Sequence, residues 1–455
     1  MISKILAYKS FILCLGLTAC IFLSSSEDVQ AMGKKPPKEK PSIDESLVTE
    51  IHELQPLTLE DCFQLALRQS ETLAMRKIDI EKTKADFLKA TGEAIGSFDF
   101  VMTNTRQKVV KGSSDSSVGS SFNAPSRRER KFVIAQPLFQ GFKTLGALQG
   151  AGSLRKQRED EWTRAKELLF LDVSKAFYDV MRLKKDVETT KEIDELFKER
   201  IAELKEREKI GRSRTSEVVS AEARMKIIEA DLAKSRGALE IAKHILEFLI
   251  GKPLEPEQLK EESLELEDNR KLEDYLEAEE TRSDVQAAKH AVTTARGGVI
   301  VAQSDLWPSF SLVNNQYQKR EGFQSGIDWD LVLKVDVPLG KGGTTFGNIK
   351  NAVSDWKKTK LSYSLTKRQA ELDIKQSYQN WISYREQSKA LEEAMKASEE
   401  NFREQAADYE HNLVSNLDVL TALESLHDTR RQANETYYQM KQNYWRLKVA
   451  TGEVL

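Results

Sequence analysis

The sequence predicts a mainly α-helical fold with a β part suited to a membrane, built from one unit that is written twice along the chain. Three observations lead to this prediction. Two long stretches without proline carry apolar residues at helical spacing. Short segments in which apolar and polar residues alternate precede each of them. The two copies also keep a constant offset, so each should contain a β-hairpin followed by a long helical hairpin.

Composition favours long helices over a large globular core. The chain has 455 residues, of which 40% are hydrophobic and 31% are charged, so each residue has little apolar surface to bury. Its formal net charge is −3. Because no surplus of Lys and Arg exists to neutralise phosphates, nucleic acid is excluded as a partner.

The N-terminal segment is typical of a secretory signal peptide. Lys4 and Lys9 precede an apolar run over residues 11–23, which is too short to span a bilayer comfortably. We therefore predict that residues 1–31 direct export.

The sequence leaves two alternatives for the position at which this signal peptide is cleaved. Ala31 closes an ordinary cleavage site, whereas Leu17 to Cys20 is similar to a bacterial lipobox, in which case the signal is residues 1–19 and Cys20 is lipidated. Residues 32–55 read as a disordered leader.

The duplication is visible in an ungapped register. Pro137-Leu138 recurs 201 residues later as Pro338-Leu339, and Gly251 recurs as Gly452. Upstream of the strands the offset is 212, so a loop differs in length between the copies. The predicted boundaries are 56–252 for the first copy (β-hairpin 97–138, helical hairpin 142–250), 253–280 for a linker, and 281–455 for the second copy (β-hairpin 308–338, helical hairpin 345–451).

The helical hairpins should turn at matched places. Helices over 142–209 and 347–411 are each followed by a residue that tolerates left-handed backbone, Gly211 in the first copy and Asn412 in the second. Thr215, Ser216 or Asn416 is expected to cap the next helix. Since most of these helices are charged, they must pack side by side as a bundle or coiled coil.

The segment Ile327–Val337 alternates apolar and polar residues with a period of two. This pattern fits a transmembrane β-strand with one face to lipid, and equally a half-buried strand of a soluble protein. Four strands cannot close a barrel, and open edges do not occur in hydrocarbon. If these strands enter a membrane, several chains must pool them.

In order and duplication, these elements resemble the TolC-like outer-membrane efflux protein family, also called outer membrane factors, from Leu57 to Gly452. The resemblance rests on Leu57-Thr58-Leu59-Glu60-Asp61 before the first helix, Leu306-Trp307-Pro308-Ser309-Phe310 before a strand, both Pro-Leu pairs and both helical turns.

This resemblance implies a homotrimer with a twelve-stranded barrel in the outer membrane of a Gram-negative bacterium. The barrel would continue into an α-helical tunnel in the periplasm, with the linker 253–280 in an equatorial belt around it. As a passive exit duct, the trimer would contact outer-membrane lipid and serve a tripartite efflux or type I secretion system through a periplasmic adaptor (membrane fusion) protein and an inner-membrane pump.

By the same resemblance, the two helical turns form the periplasmic tip that docks the adaptor. The acidic residues Asp408 and Glu410 are candidates for a gate at this tip. The candidate docking residues are Gly211, Arg212, Ser213, Thr215, Ser216, Glu217, Asn412, Ser415, Asn416 and Asp418.

The sequence offers no chemistry for catalysis. Its five histidines are scattered, and it has no phosphate loop or nucleophile motif, so we predict neither an enzyme nor a metal or cofactor site. Gly297-Gly298 indicates either a helix kink or close helix packing. A rival interpretation is a non-channel periplasmic or surface coiled-coil scaffold, which explains the helices but not the alternating strands.

Overall fold

A computed structural model describes residues 56–108, 126–261, 270–322 and 324–454. These belong to the unit Pro56–Leu455, one of two into which the chain divides. The predicted signal peptide, the leader and Cys20 lie outside the described residues.

The chain repeats one order of elements. We number them as follows: α1 Leu59–Gln69, α2 Glu71–Ile95, β1 Ser97–Arg106, β2 Ser126–Gln140, α3 Lys143–Lys209, α4 Thr215–Ile250, α5 Leu272–Leu276, α6 Ser283–Gln303, β3 Ser309–Arg320, β4 Trp329–Asp336, α7 Thr344–Glu410 and α8 Asn416–Thr451. In the described part of the chain, short 3₁₀ helices lie at Pro256–Gln258, Glu277–Thr281 and Ser304–Leu306.

The four strands form one antiparallel sheet in the order β1-β2-β3-β4. The two hairpins are joined by β2 and β3, so strands from both copies share a single sheet. Register shifts between Arg130 and Lys131 and between Pro137 and Phe139 interrupt the joining ladder. Such irregularities increase the local twist of a sheet.

Each long helix has 67 residues, which corresponds to about 100 Å. The predicted left-handed positions are observed after both helices, with φ of 72° at Gly211 and 56° at Asn412. Among the described residues, no helix combines the length and apolar character needed to cross a membrane.

The predicted helix caps need a correction. The N-cap of α8 is Ser415, while Asn416 is the first helical residue and is buried. The N-cap position of α4 is Arg214, which makes no side-chain cap bond, and Thr215 is already helical. The side chain of Asn416 makes its hydrogen bond outside the cap. Ser415, one residue earlier, therefore caps the free N–H groups at the start of α8.

Buried apolar side chains form three clusters along the helices. The first surrounds Phe177 of α3 and includes Cys62 of α1. Cys62 is fully buried, and burial together with the nearby charge of Asp61 raises the pKa of its thiol to about 12. The second cluster surrounds Phe197, near the ends of α3 and α7, and the third surrounds Trp381 of α7.

The linker between the copies packs on the helices at both of its described ends. Leu254 and Leu259 are buried in the first cluster, and Leu259 forms a parallel bridge with Leu57. Tyr275 is buried in the third cluster. The linker is therefore attached to both copies.

Close packing, one of the two predicted roles of Gly297-Gly298, is found at Gly297. A Cβ atom at Gly297 would lie 2.7 Å from the carbonyl oxygen of Gly146 and 3.0 Å from Cα of Gly150, so α6 and α3 approach backbone to backbone. Gly298 faces open space among the described residues. The helix α6 runs through both glycines without interruption.

Candidate functional site

The first turn, residues 210–214, joins α3 to α4. Its backbone reverses through hydrogen bonds from Gly211 N–H to Glu208 O (2.9 Å) and from Arg212 N–H to Arg207 O (2.8 Å). The Ser213 hydroxyl donates to a carboxylate oxygen of Glu217 at 2.7 Å. Gly211, Arg212, Thr215 and Ser216 are exposed, whereas Ser213 and Glu217 are half-buried.

The second turn, residues 411–415, joins α7 to α8 and is closed by a capping box. The Ser415 hydroxyl and backbone N–H donate to the Asp418 carboxylate at 2.6 and 2.9 Å, and the hydroxyl accepts from the Asp418 N–H at 3.4 Å. These bonds from Ser415 hold the pKa of Asp418 below its ordinary value. Asp418 therefore has a structural role at the start of α8.

A cluster of polar side chains connects α3 to the second turn. Arg200 of α3 donates from Nε to Oδ1 of the buried Asn416 at 3.0 Å. Its guanidinium lies 3.8 Å from the ring centre of Tyr409, and that of Arg207 lies 4.5 Å from the same ring. Glu203 pairs with both arginines, at 2.6 and 2.9 Å. This cluster holds the end of α7 against α3.

The two helical hairpins are joined a second time below the turns. Arg224 of α4 forms an ion pair with Glu424 of α8. Both turns also expose a large apolar side chain, Ile210 at 66% and Leu413 at 72%.

The structure places the two predicted gate residues beside the second turn. Asp408 is half-buried, and its backbone carbonyl accepts from the N–H groups of His411 and Leu413. Glu410 is exposed. Neither side chain joins the arginine and tyrosine cluster described above.

The sheet has an exposed apolar face. Cross-strand partners lie on the same face, so the register joins Phe98 to Ile134 and, through Asn314, to Leu331. Phe98 and Phe132 stack with ring centres 5.7 Å apart. Asn314, Gln316 and Gln136 interrupt this face. Its exposed large side chains are Phe98, Phe100, Met102, Ile134, Trp329, Leu331, Leu333 and Val335.

The opposite face of the sheet is polar. Asp330 accepts from the Asn315 amide and the Tyr317 hydroxyl, each at 2.7 Å. Glu129 pairs with Lys131 at 3.3 Å and with Arg320 at 3.8 Å. The predicted alternation of Ile327–Val337 is therefore observed as two chemically different faces, with β4 spanning Trp329–Asp336.

Within the described ranges, His, Cys, Asp and Glu side chains form no group close enough to hold a metal ion.

The sequence profile of the outer membrane efflux protein family matches residues 275–453, which are the last part of the linker and nearly all of the second copy. This part of the chain, less than half of its length, is similar to the outer membrane efflux protein family. Here the resemblance found in the sequence is confirmed.

Named relatives of this chain differ in what their names say they export. It is 24% identical to the cation efflux system protein CusC of Escherichia coli O157:H7 over 251 residues, 52% of this chain and 54% of CusC. It is 22% identical to the proteases secretion protein PrtF of Dickeya chrysanthemi over 260 residues, 53% and 55% of the two chains. The matches thus span about half the length of these relatives.

The fold extends over most of the chain. The crystal structure of the outer membrane protein VceC from Vibrio cholerae superposes with a TM-score of 0.75 at 20% identity, covering 87% of this chain and 96% of VceC. The first copy, which the family profile does not reach, therefore shares the fold as well.

Sequence analysis missed the residues that connect the two copies. Tyr409 lies among the apolar residues spaced along α7, and nothing in the sequence pairs it with Arg200 or Arg207. The spacing of seven between the two arginines does place them on one side of α3. That spacing was the available signal.

Proposed function

We propose that three copies of this chain form an outer-membrane exit duct, through which solutes or proteins pass passively from the periplasm or an inner-membrane pump to the outside. The observation that carries the proposal is the two-faced sheet. One face exposes Phe98, Phe100, Leu331 and Leu333, and the other carries paired Asp, Glu, Lys and Arg side chains. Lipid suits the first face and a water-filled lumen suits the second.

The edges of the sheet support a closed ring of several chains. Among the described residues, β1 and β4 each pair on one side only. An unpaired edge is not stable in hydrocarbon, so neighbouring chains must supply the missing partners. Two chains would give eight strands, whose side chains fill the interior, whereas three give twelve and leave room for a channel.

Disulfide cross-linking tests this closure. Within one chain β1 and β4 are three strand spacings apart, about 14 Å, which exceeds the reach of a disulfide. We therefore combine Val101→Cys on β1 with Val332→Cys or Lys334→Cys on β4, all on the polar face. Covalent dimers and trimers on a non-reducing gel are the expected result.

Val101→Cys alone is the control, since a neighbouring β4 then offers no cysteine on that face. Absence of interchain disulfides across a scan of β4 positions would contradict the ring.

Planar-bilayer conductance separates the duct from the coiled-coil scaffold. The duct should insert and conduct, whereas a scaffold should stay soluble without detergent and show no current.

The two turns are proposed as the docking site for a periplasmic adaptor protein, with an inner-membrane pump supplying the energy. Exposed Ile210 and Leu413 support this role. The names of CusC and PrtF support an efflux or a secretion system for the pump. Leu413→Asp should abolish export in cells while leaving bilayer conductance intact. Loss of conductance as well would place Leu413 in the duct instead.

A further inference from the structure

The end of the sheet away from the helices carries basic side chains on its apolar face. Directly opposed partners place Met102 beside Arg130 and Asn104 beside Arg128, and alternation along β1 brings Arg106 to the same face. Across the next ladder, Arg130 lies opposite Lys319. We call Arg106, Arg128, Arg130 and Lys319 the basic patch.

The basic patch is exposed and largely uncompensated. Lys319 pairs with Glu321 at 2.9 Å, and Glu321 also accepts from the backbone N–H of Arg128. In the described part of the chain, the guanidinium groups of Arg106, Arg128 and Arg130 have no hydrogen-bonded or ion-paired partner.

The polar face at the same height is different. There Glu129 pairs with Lys131 at 3.3 Å and with Arg320 at 3.8 Å. Lys131 and Arg320 are thus paired with a carboxylate, whereas Arg106, Arg128 and Arg130, on the side that carries Phe98, Phe100 and Phe132, have no such partner among the described residues.

Given the proposed function, on which this inference rests, the apolar face contacts lipid and the patch lies where hydrocarbon gives way to headgroups. The helices leave from the other end of the sheet, so the patch belongs to the outer leaflet. Arginine matches phosphate oxygens with paired N–H groups, and cations near a membrane surface attract anionic lipids.

We propose that the basic patch binds phosphorylated headgroups of lipids in the outer leaflet. Because Arg128 and Arg130 precede Phe132 at alternate positions of β2, one lipid places its chains on the aromatic side chains and its phosphate on the guanidinium groups. Binding of this kind fixes the depth of the duct in the membrane.

The test uses the purified full chain in a neutral detergent, titrated with phosphatidic acid or with phosphatidylcholine, and counts bound lipids by native mass spectrometry. Wild type should prefer phosphatidic acid by about tenfold or more. A triple variant, Arg106→Gln, Arg128→Gln and Arg130→Gln, should lose this preference. The matched control, Lys357→Gln, Lys358→Gln and Lys389→Gln, removes three exposed cations from α7 and should keep it.

Three results would overturn the assignment: no preference in wild type, equal loss in the control, or displacement of the lipid by millimolar inorganic phosphate, which would indicate a site for free phosphate. Planar-bilayer conductance of the same preparations separates the two proposals. A protein that conducts without lipid preference refutes the patch alone. A protein that neither inserts nor conducts refutes the duct.

Discussion

The two long helices have equal length and corresponding positions in the two copies, yet they are buried to very different degrees. The helix α3 buries 19 of its 67 residues, whereas α7 buries six of 67. In the lower half of α3, Ile193, Phe197 and Leu204 are fully buried. At the corresponding positions α7 has Ala394, Ser398 and Gln405.

This difference shows that duplication kept the elements but not their surroundings. The helix α3 has neighbours from its own chain on several sides, namely α6, α4, α2 and α8. In contrast, α7 leaves Leu361 73% exposed and Leu372 53% exposed among the described residues. In the proposed ring, these leucines are surfaces for an adjacent chain.

The largest expected effect is at the buried end of α3. Phe197→Ala removes a fully buried ring from the second cluster and should cost about 3–5 kcal/mol of unfolding free energy. Phe402→Ala, at the half-buried edge of the same cluster, should cost clearly less. Thermal unfolding followed by the helical circular dichroism signal compares them. Equal losses would contradict the difference in burial.

A second comparison uses the matched glycines of α3 and α7. At Gly146 a Cβ would lie 2.9 Å from the Gly297 carbonyl oxygen, so Gly146→Ala should cost about 1–3 kcal/mol. Its counterpart Gly347 has nothing within 4 Å among the described residues, so Gly347→Ala should gain about 0.5–1 kcal/mol from lower chain entropy. Thermal midpoints measure both. A loss at Gly347 would indicate that an adjacent chain fills the space.

The smallest expected effect is at the helix starts after the turns. Ser415→Ala removes the capping box of α8 and should cost about 1 kcal/mol. Arg214 gives α4 no side-chain cap, so Arg214→Ser should gain a similar amount by pairing with Glu217 as a new box. Hydrogen exchange of the backbone amides at the start of α8 and of α4 measures each effect locally. Unchanged exchange in Arg214→Ser would contradict the new box and show that Glu217 keeps its bond to Ser213.

Local features of the fold were predictable because they depend on neighbours along the chain. Proline-free periodicity gave α3 and α7, and the residues that tolerate positive φ, Gly211 and Asn412, marked both turns. The period of two in Ile327–Val337 gave a strand with two unlike faces. Each of these patterns reflects a preference of a few consecutive residues.

Features that depend on distant residues were not predictable in this way. Arg200 reaches Asn416 across 216 positions, and the sequence pattern suggested a helix cap for Asn416 instead. The pairing of β2 with β3 joins the two copies through the backbone of the sheet, and neither hairpin pattern specifies this partner. Likewise, the basic patch emerges only when the register brings Arg130 beside Lys319.

Cys62 has a practical consequence. It is the free cysteine of the described residues, and its thiol is sealed in the first cluster with a pKa of about 12. At neutral pH it holds almost no thiolate, the form that reacts with maleimides and oxidants. Spectroscopic labels can therefore be attached to engineered surface thiols in this part of the wild-type background, without first mutating a core residue.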